Sequence, residues 1–411
     1  MSYKLLQINS TRNYGSTGRI AENIGILANA CGFDSYMVHG PRYVNPSGLK
    51  SVCTETLFEE RVHGVASRLF DAHGLGSVCA TRRLVRRIRE IDPDIIHLHN
   101  IHGYYINYPL LFDYLKESRK PVVWTLHDSW PFTGHCSHFE LDGCNWLSDC
   151  NYWQTGCHDC RLSRTYPKSY TDFSRRNFRL KKEAFTGVEN MVLVPVSDWL
   201  DGLVRKSFLK DCRTQVIHNG IDIGVFDIRK DSRAVRNRYG ITAGKIIIGV
   251  ASPFTPKKGL DDFVRLGQML PDGYQIVLAG LSADMPDKLP EGIIGIGRTQ
   301  DMQELASLYS MADVFMNLTY GDNFPTTNLE AMACGTPVVT YRTGGSPEAV
   351  DESTGAVVDK GDLDAARDAA IRICQEGKQS FSEKCRLRAE RNFDKDICFR
   401  KYIGLYRDML S

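Results

Sequence analysis

The sequence predicts an α/β protein made of two doubly wound parallel sheets, Rossmann-like in form, facing each other across a cleft. Three observations lead there. The chain has 411 residues, more than one ordinary core needs, so two compact domains are expected. Short apolar runs alternate with helical stretches through both halves, the order that makes a parallel sheet covered on both faces. Hydrophobic residues at 42% and charged residues at 24% are globular values and exclude a disordered or fibrous chain.

In chain order, "YKLLQI" at 3–8 reads as a buried strand, and "NSTRNYGSTGR" as a loop before a helical stretch that runs to Ala30. "SYMVH" at 35–39 is the next strand, followed by an arginine-rich helix, "TRRLVRRIRE", with Leu84, Ile88 and Ile91 as its apolar face. "DIIHLH" at 94–99, a helix after Pro109, "PVVWTL" at 121–126, a helix over 172–186, "MVLVPV" at 191–196 and a helix from Ser197 complete the first series. A second series opens with "KIIIGVA" at 245–251 and continues through "YQIVLAG", "GIIGIG", "DVFMNL" and "TPVVTY". The expected domains are residues 1–225, carrying a cysteine-rich loop at 130–165, and residues 226–394. Ligands of such sheets bind outside the carboxyl ends of the strands, where loops and helix starts converge.

Composition narrows the function. A net charge of +2 gives no reason to expect nucleic acid as a partner. The longest apolar runs are strand-length, and "MSYKLLQINS" enters a strand without a signal-peptide pattern, so a cytoplasmic protein is expected. Arg82, Arg83, Arg86, Arg87 and Arg89 crowd one helix; a solvated face explains them slightly better than an anionic surface or a pyrophosphate. Of the thirteen cysteines, Cys31, Cys53, Cys79, Cys212, Cys334, Cys374, Cys385 and Cys398 are scattered singly and read as small core residues.

Two glycines, Gly15 and Gly18, flank Ser16 and Thr17 after the first strand and could bring backbone N–H groups to an anion. Taken alone, a turn explains them equally well. A dinucleotide fingerprint is absent, since six residues separate the strand from the first glycine of the pair and the second strand ends in His39-Gly40 without an acid. The stretch "DNFPTTNLEAMACGTPVV" is richer. Pro325 and Thr326 begin a helix there, so the N–H groups of Thr326, Thr327 and Asn328 are expected to face a diphosphate. Glu330, one turn in, suits vicinal hydroxyls such as those of a ribose, and Asp322 suits hydroxyls at the ligand's other end. A dipole-complementing acid and a turn-former explain the pair equally well on spacing alone. "SPFTPKKGLDDF" raises the functional reading by bringing Lys257 and Lys258 ahead of a helix, where ammonium groups can meet a leaving diphosphate.

With these residues assembled, the chain resembles glycosyltransferase family 4, retaining nucleotide-sugar transferases of the GT-B fold. "KKG", "DNFPTTNLEAMACGTPVV" and "GGSPE" match that family's donor-site motifs, and "GSTGRI", "DIIHLHNIHGYY" and "VVWTLHDSWPFTGHC" are similar to bacterial colanic-acid, capsule and O-antigen transferases. The resemblance implies a UDP- or GDP-linked sugar donor and a glycan or lipid-linked oligosaccharide acceptor. It implies that Lys258 binds the donor phosphates, Glu330 the ribose and Asp322 with Asn323 the transferred sugar. Phe324, Pro325, Thr326 and Thr327 belong to the same donor motif. His127 matches a histidine beside the sugar, and Gly15 to Gly18 a loop closing over the phosphates. Asp322 stands where the family usually has glutamate, and Pro253 where it usually has arginine, which leaves Lys257 as a candidate second cation. Residues 395–411 are similar to the helix that crosses back to the first domain. A front-face substitution with retention, without a catalytic metal, is the implied chemistry. Asp92-Pro-Asp94 reads as a helix terminator and His97, His99 and His102 as structural residues.

The remaining five cysteines lie between 136 and 160. A cytoplasmic chain does not keep disulfides, and C-x2-C at Cys157 and Cys160 is a half-site for tetrahedral zinc. Cys136 with Cys150, the pair favoured by similarity to related transferases, or with Cys144, would complete a structural zinc site; reduced cysteines without metal are the alternative. Two rival functions share the fold: a nucleotide-sugar 2-epimerase, and an inactive zinc-bearing scaffold of polysaccharide assembly. Peripheral contact with an anionic membrane is a further expectation from the arginine helix.

Overall fold

A computed structural model describes residues 2–138, 150–228, 232–242, 244–283, 285–286 and 289–411. Cys144 lies outside them. The chain divides into two compact units, one running up to His218 and resuming at Phe399–Ser411, the other Asn219–Cys398.

The first unit contains β1 (Lys4–Ile8), α1 (Gly15–Ala30), β2 (Asp34–His39), β3 (Lys50–Cys53), α2 (Leu57–Phe70), α3 (Val78–Ile91), β4 (Ile95–Leu98), α4 (Tyr108–Ser118), β5 (Val122–Leu126), α5 (Tyr152–Thr155), α6 (Ser174–Phe185), β6 (Met191–Pro195), α7 (Asp198–Val204) and β7 (Arg213–Thr214). Its strands form one parallel sheet in the order β3-β2-β1-β4-β5-β6-β7. β4, β5 and β6 are buried along their whole length, as strands covered on both faces must be. Three of its helices begin where short polar side chains take up orphan amides: Thr56 and Glu59 make a capping box on α2, Asn107 caps α4 and Ser197 caps α7.

The second unit contains α8 (Arg233–Tyr239), β8 (Lys245–Val250), α9 (Leu260–Met269), β9 (Tyr274–Ala279), β10 (Ile293–Ile296), α10 (Met302–Met311), β11 (Val314–Asn317), α11 (Thr326–Ala333), β12 (Val338–Tyr341), β13 (Gly355–Val358), α12 (Leu363–Glu376) and α13 (Gln379–Phe393). Its parallel sheet has the order β10-β9-β8-β11-β12-β13. The last helix, α14 (Lys395–Leu410), starts in this unit and ends in the first. In each sheet the strand order reverses beside the first strand, between β1 and β4 and between β8 and β11. Loops leaving those strands therefore diverge to opposite faces and open a crevice at their carboxyl ends.

Several expectations need correction. β3, α2, β7 and β13 were not foreseen: three are short or edge strands, and α2 carries its apolar residues on the solvent side. "GSTG" is the first turn of α1 and not a loop. Cys53 and Cys79 are exposed, so the scattered cysteines are not uniformly core residues. On the arginine helix α3, Arg83, Arg87 and Arg89 pair with Glu59, Glu90 and Glu117, which offsets much of its charge. Asp92 ends α3 in a left-handed conformation and pairs with Lys120, while Asp94 accepts the Lys4 amide.

Candidate active site

In the second unit, the turn after β8 and the loop after β11 meet at the switch point. Pro256–Lys258 forms a single 3-10 turn closed by Gly259, whose φ is +77°. A β-carbon on Gly259 would stand 2.2 Å from the Leu318 carbonyl oxygen, so only glycine lets this turn lie against the end of β11. The Lys257 carbonyl accepts the Tyr320 amide at 2.9 Å, and Asp262, buried in the first turn of α9, accepts the hydroxyls of Tyr320 and Tyr341 at 2.7 and 2.8 Å. The lysine turn and the acidic loop are thus fastened together.

Lys258 Nζ donates to Asp322 Oδ2 at 2.7 Å, both side chains being part-exposed. A residue assigned to the donor phosphates and one assigned to the transferred sugar are therefore paired. The second glycine-rich motif supports the same loop: Gly344, at φ +51°, would place a β-carbon 1.8 Å from the Asp322 carbonyl, and the Gly345 amide donates to that carbonyl. Asn323 and Phe324 are buried, and Phe324 N–H donates to Asp322 Oδ1 at 3.3 Å.

α11 starts after Pro325, with neither a side-chain cap nor an acid in its first turn. Its amide dipoles accordingly present a positive end without a built-in counter-charge. Asn328 departs from expectation, because its N–H turns back to the Pro325 carbonyl at 3.3 Å. Of the three amides expected to face an anion, those of Thr326 and Thr327 remain as candidates. Glu330 is half-buried, and its Oε2 accepts the hydroxyl of fully buried Tyr309 on α10 at 3.0 Å. Tyr309, Asp262, Tyr320 and Tyr341 were missed, since nothing in their spacing distinguishes them from core aromatics and a first-turn acid.

In the first unit, residues 9–14 lead from β1 to the start of α1, where Gly15 has φ +66° and a β-carbon on Gly18 would meet Thr11 Oγ1 at 2.6 Å. Ser16 and Thr17 lie in this uncapped first turn. Across the switch point, β4 and the residues just past β4 and β5 carry a column of imidazoles, His97 and His99 buried and His127 half-buried. His97 bonds Tyr406 and Thr125 at 2.6 and 2.8 Å; His99 Nε2 meets Gln7 Oε1 at 3.0 Å and His99 Nδ1 meets His127 Nε2 at 3.2 Å. Gln7 Nε2 donates to the Ala21 carbonyl, which leaves Gln7 Oε1 as acceptor and requires the His99 proton on Nε2. Burial keeps His99 neutral, with His97 and His127 acting in the same direction. Its Nδ1 must then accept from His127 Nε2–H. Burial brings His127 down to about 4, against an opposing pull from Asp128. Neutral His127 therefore has its lone pair on Nδ1. A glutamine inside an apolar strand and histidines at 97 and 99 in its neighbour are the sequence signal of this column. His102 Nε2 bonds Asp128 Oδ2 at 2.8 Å.

Of the four described cysteines of the loop, Cys136 and Cys160 are in contact and the other two lie farther off, without the close grouping a bound ion would impose. Cys136 and Cys160 share a hydrogen bond, and the Cys157 and Cys150 sulfurs act electrostatically on the Cys136 thiol. Cys157 Sγ accepts the Gly134 amide at 3.0 Å.

Family comparisons bear on both units. The model described as Glycosyltransferase Family 4 matches residues 51–225, and that described as Glycosyl transferases group 1 matches 231–391. The chain belongs to glycosyltransferase family 4. This family 4 glycosyltransferase is 26% identical over 299 residues to the putative colanic acid biosynthesis glycosyl transferase WcaC of Escherichia coli (strain K12), covering 71% of this chain and 70% of that protein. It is 31% identical over 179 residues to the D-inositol 3-phosphate glycosyltransferase of Mycobacteroides abscessus, covering 41% and 40%. Among solved structures it is similar to sucrose-phosphate synthase from Thermosynechococcus elongatus (TM-score 0.71, 18% identity, 99% of both chains). It is also similar to Anabaena Alr3699/HepE in complex with UDP-glucose (TM-score 0.65, 15% identity, 98% and 99%). These likenesses establish the GT-B fold of the family 4 glycosyltransferase, and nothing in them supports an epimerase.

Proposed function

We propose that the chain is a retaining hexosyltransferase that moves a sugar from a UDP- or GDP-linked donor to a glycan, lipid-linked oligosaccharide foremost, in bacterial surface polysaccharide synthesis. The observation that carries this reading is the pairing, at one switch point, of an uncapped helix start with Lys258 and Glu330. The UDP-glucose held by Alr3699/HepE and the colanic-acid description of WcaC support the donor and the pathway class.

On this reading the diphosphate takes Lys258 from Asp322 and lies against the Thr326 and Thr327 amides, with Lys257 as second cation and Phe324 and Pro325 shaping the helix start. Glu330, oriented by Tyr309, accepts the ribose hydroxyls. Asp322, released from Lys258, and Asn323 hold hydroxyls of the transferred sugar. From the first unit, Gly15, Ser16, Thr17 and Gly18 offer the α1 amides to phosphate, and His127 Nδ1 accepts a sugar hydroxyl. The bond from the anomeric carbon to the diphosphate oxygen breaks and that to the acceptor oxygen forms on the same face. The acceptor proton passes to the departing diphosphate. Charge on that leaving group is met by lysine and amide dipoles, so no catalytic metal is assigned and turnover is expected to be insensitive to EDTA.

Cys136, Cys150, Cys157 and Cys160 are assigned a structural tetrahedral zinc on their thiolate chemistry and the C-x2-C spacing of Cys157 and Cys160, with the Cys136–Cys160 hydrogen bond and the Gly134 amide on Cys157 in support; among the described residues the sulfurs are not gathered as closely as a bound ion requires, so the loop must tighten around the metal. About one equivalent of zinc in purified protein is expected, and less than about a tenth would end that assignment. A cytoplasmic location, peripheral at the inner membrane face, completes the reading. No helix among the described residues is long and apolar enough to cross a membrane.

A thermal-shift screen against nucleotide sugars tests the function. A cognate donor raises the melting temperature through its affinity for the folded state, and the Lys258→Ala variant loses that shift. Equal shifts in both proteins would overturn the assignment.

A further inference from the structure

α2 is built inside out. Its buried residues are His63, Gly64 and Ser67, while Phe58, Val62, Val65 and Leu69 are 74, 53, 53 and 47% exposed. Their spacing of four, three and four residues makes a single outward stripe, the reverse of an ordinary surface helix. The inward side has its own cause. His63 Nδ1 meets Ser77 Oγ at 2.7 Å, its Nε2 accepts the Gly76 amide at 3.0 Å, and the Tyr104 ring packs edge-on against it. The core thus takes a polar ring and small residues from α2 and leaves its aliphatic and aromatic side chains outside.

The stripe continues beyond the helix. Phe70 is exposed, and the strand of chain that follows the α2 terminus brings exposed Tyr170 beside it, the Tyr170 amide donating to the Arg68 carbonyl at 2.7 Å and Thr171 Oγ1 to the Leu69 carbonyl at 2.9 Å. Cations border it. Arg61, Arg68 and Lys168 are exposed, Lys168 Nζ standing 5.5 Å over the Tyr170 ring. The nearby acids are engaged: Glu59 pairs with Arg83, Glu60 with Arg42, and Asp172 accepts the Cys160 and Ser174 amides.

We propose that this face docks on an anionic membrane, Phe58, Val62, Val65 and Leu69 entering the interfacial layer while Arg61, Arg68 and Lys168 meet the headgroups. An apolar stripe rimmed by long cationic side chains, with tyrosine at its border, is the pattern a bilayer surface complements. A two-fold pairing of copies through the same face would instead oppose cationic rim to cationic rim. The surface differs from the ion-paired arginine helix α3; it deepens the peripheral membrane location proposed above and does not rest on which donor or acceptor the site takes.

Vesicle flotation of the full chain tests it, with phosphatidylglycerol and phosphatidylcholine mixtures against phosphatidylcholine alone. The protein is expected to float with the anionic vesicles only. The combined Phe58→Ser, Val62→Ser and Leu69→Ser variant is expected to lose at least about 10-fold in partitioning, and the Arg61→Gln, Arg68→Gln and Lys168→Gln variant to lose binding at about physiological salt. Both should melt like the parent, because every altered side chain is exposed. A Val62→Trp variant should shift its emission to the blue on vesicle binding. Absence of flotation at low salt, partitioning that survives the serine changes, or a dimer that those changes dissociate would each overturn the proposal.

Discussion

Lys258 and Asp322 face each other at 2.7 Å, and that pairing sets what each contributes. An ammonium already matched to a carboxylate costs little to keep, and a diphosphate carrying more charge can displace the carboxylate. Replacing Lys258 with alanine removes leaving-group stabilisation and leaves Asp322 without its cation; turnover should fall about 10²- to 10³-fold, measured with saturating donor. Tyr309 acts one step removed. Its hydroxyl fixes Glu330 through one hydrogen bond worth about 1 kcal/mol, so Tyr309→Phe should raise the donor KM about five-fold while kcat stays near the parent value. Gln7 is further out again, since it sets the tautomer of His99 and through it that of His127. Gln7→Met should lower kcat more than it raises KM and flatten the acid limb of the pH-rate profile, whereas a purely structural glutamine would change stability alone.

At the scale of elements, the two glycine positions explain why the motifs are spaced as they are. Gly259 and Gly344 each let one loop lie against a carbonyl of another, at Leu318 and Asp322. Gly344→Ala should therefore separate the "GGSPE" turn from the acidic loop, costing about 1–3 kcal/mol of stability and weakening donor binding, as calorimetric melting and titration would register. The same elements mark how much was legible. Apolar strands such as "DIIHLH" and "KIIIGVA" announce themselves by composition, and the helix start at Thr326 by its proline. The pairing of Lys258 with Asp322 was not legible, because it joins loops 64 residues apart. Nor was α2, whose hydrophobic stripe points away from the core, nor the Asn328 amide, which local backbone geometry turned inward. Sequence periodicity reports which residues share a face and leaves open which way that face looks.

For the whole molecule, buried imidazoles set the acid limit. Burial brings His63 to about 4 and His127 to about 4, and holds His97, His99 and His73 well below their ordinary value. The unfolded chain binds protons on these rings near pH 6.5 while the folded chain resists them, His63 and His127 until about pH 4, so stability is complete above pH 6.5 and is lost as pH falls toward 4. Glu55, which burial raises to about 7, works the other way across part of that window. The histidines outnumber it. The melting temperature should thus drop between pH 7 and pH 5 at constant ionic strength, with net proton uptake on unfolding in calorimetry in buffers of different ionisation enthalpy.

Tyr402 and Tyr406 on α14 reach into the first unit, where their hydroxyls bond Thr125 and His97 beside the imidazole column. During synthesis the amino-terminal sheet is consequently left without two of its interior aromatics until residues 399–411 have emerged from the ribosome. Vectorial, domain-by-domain folding can begin on this chain, but its first domain gains its last helix only once the second has been synthesised.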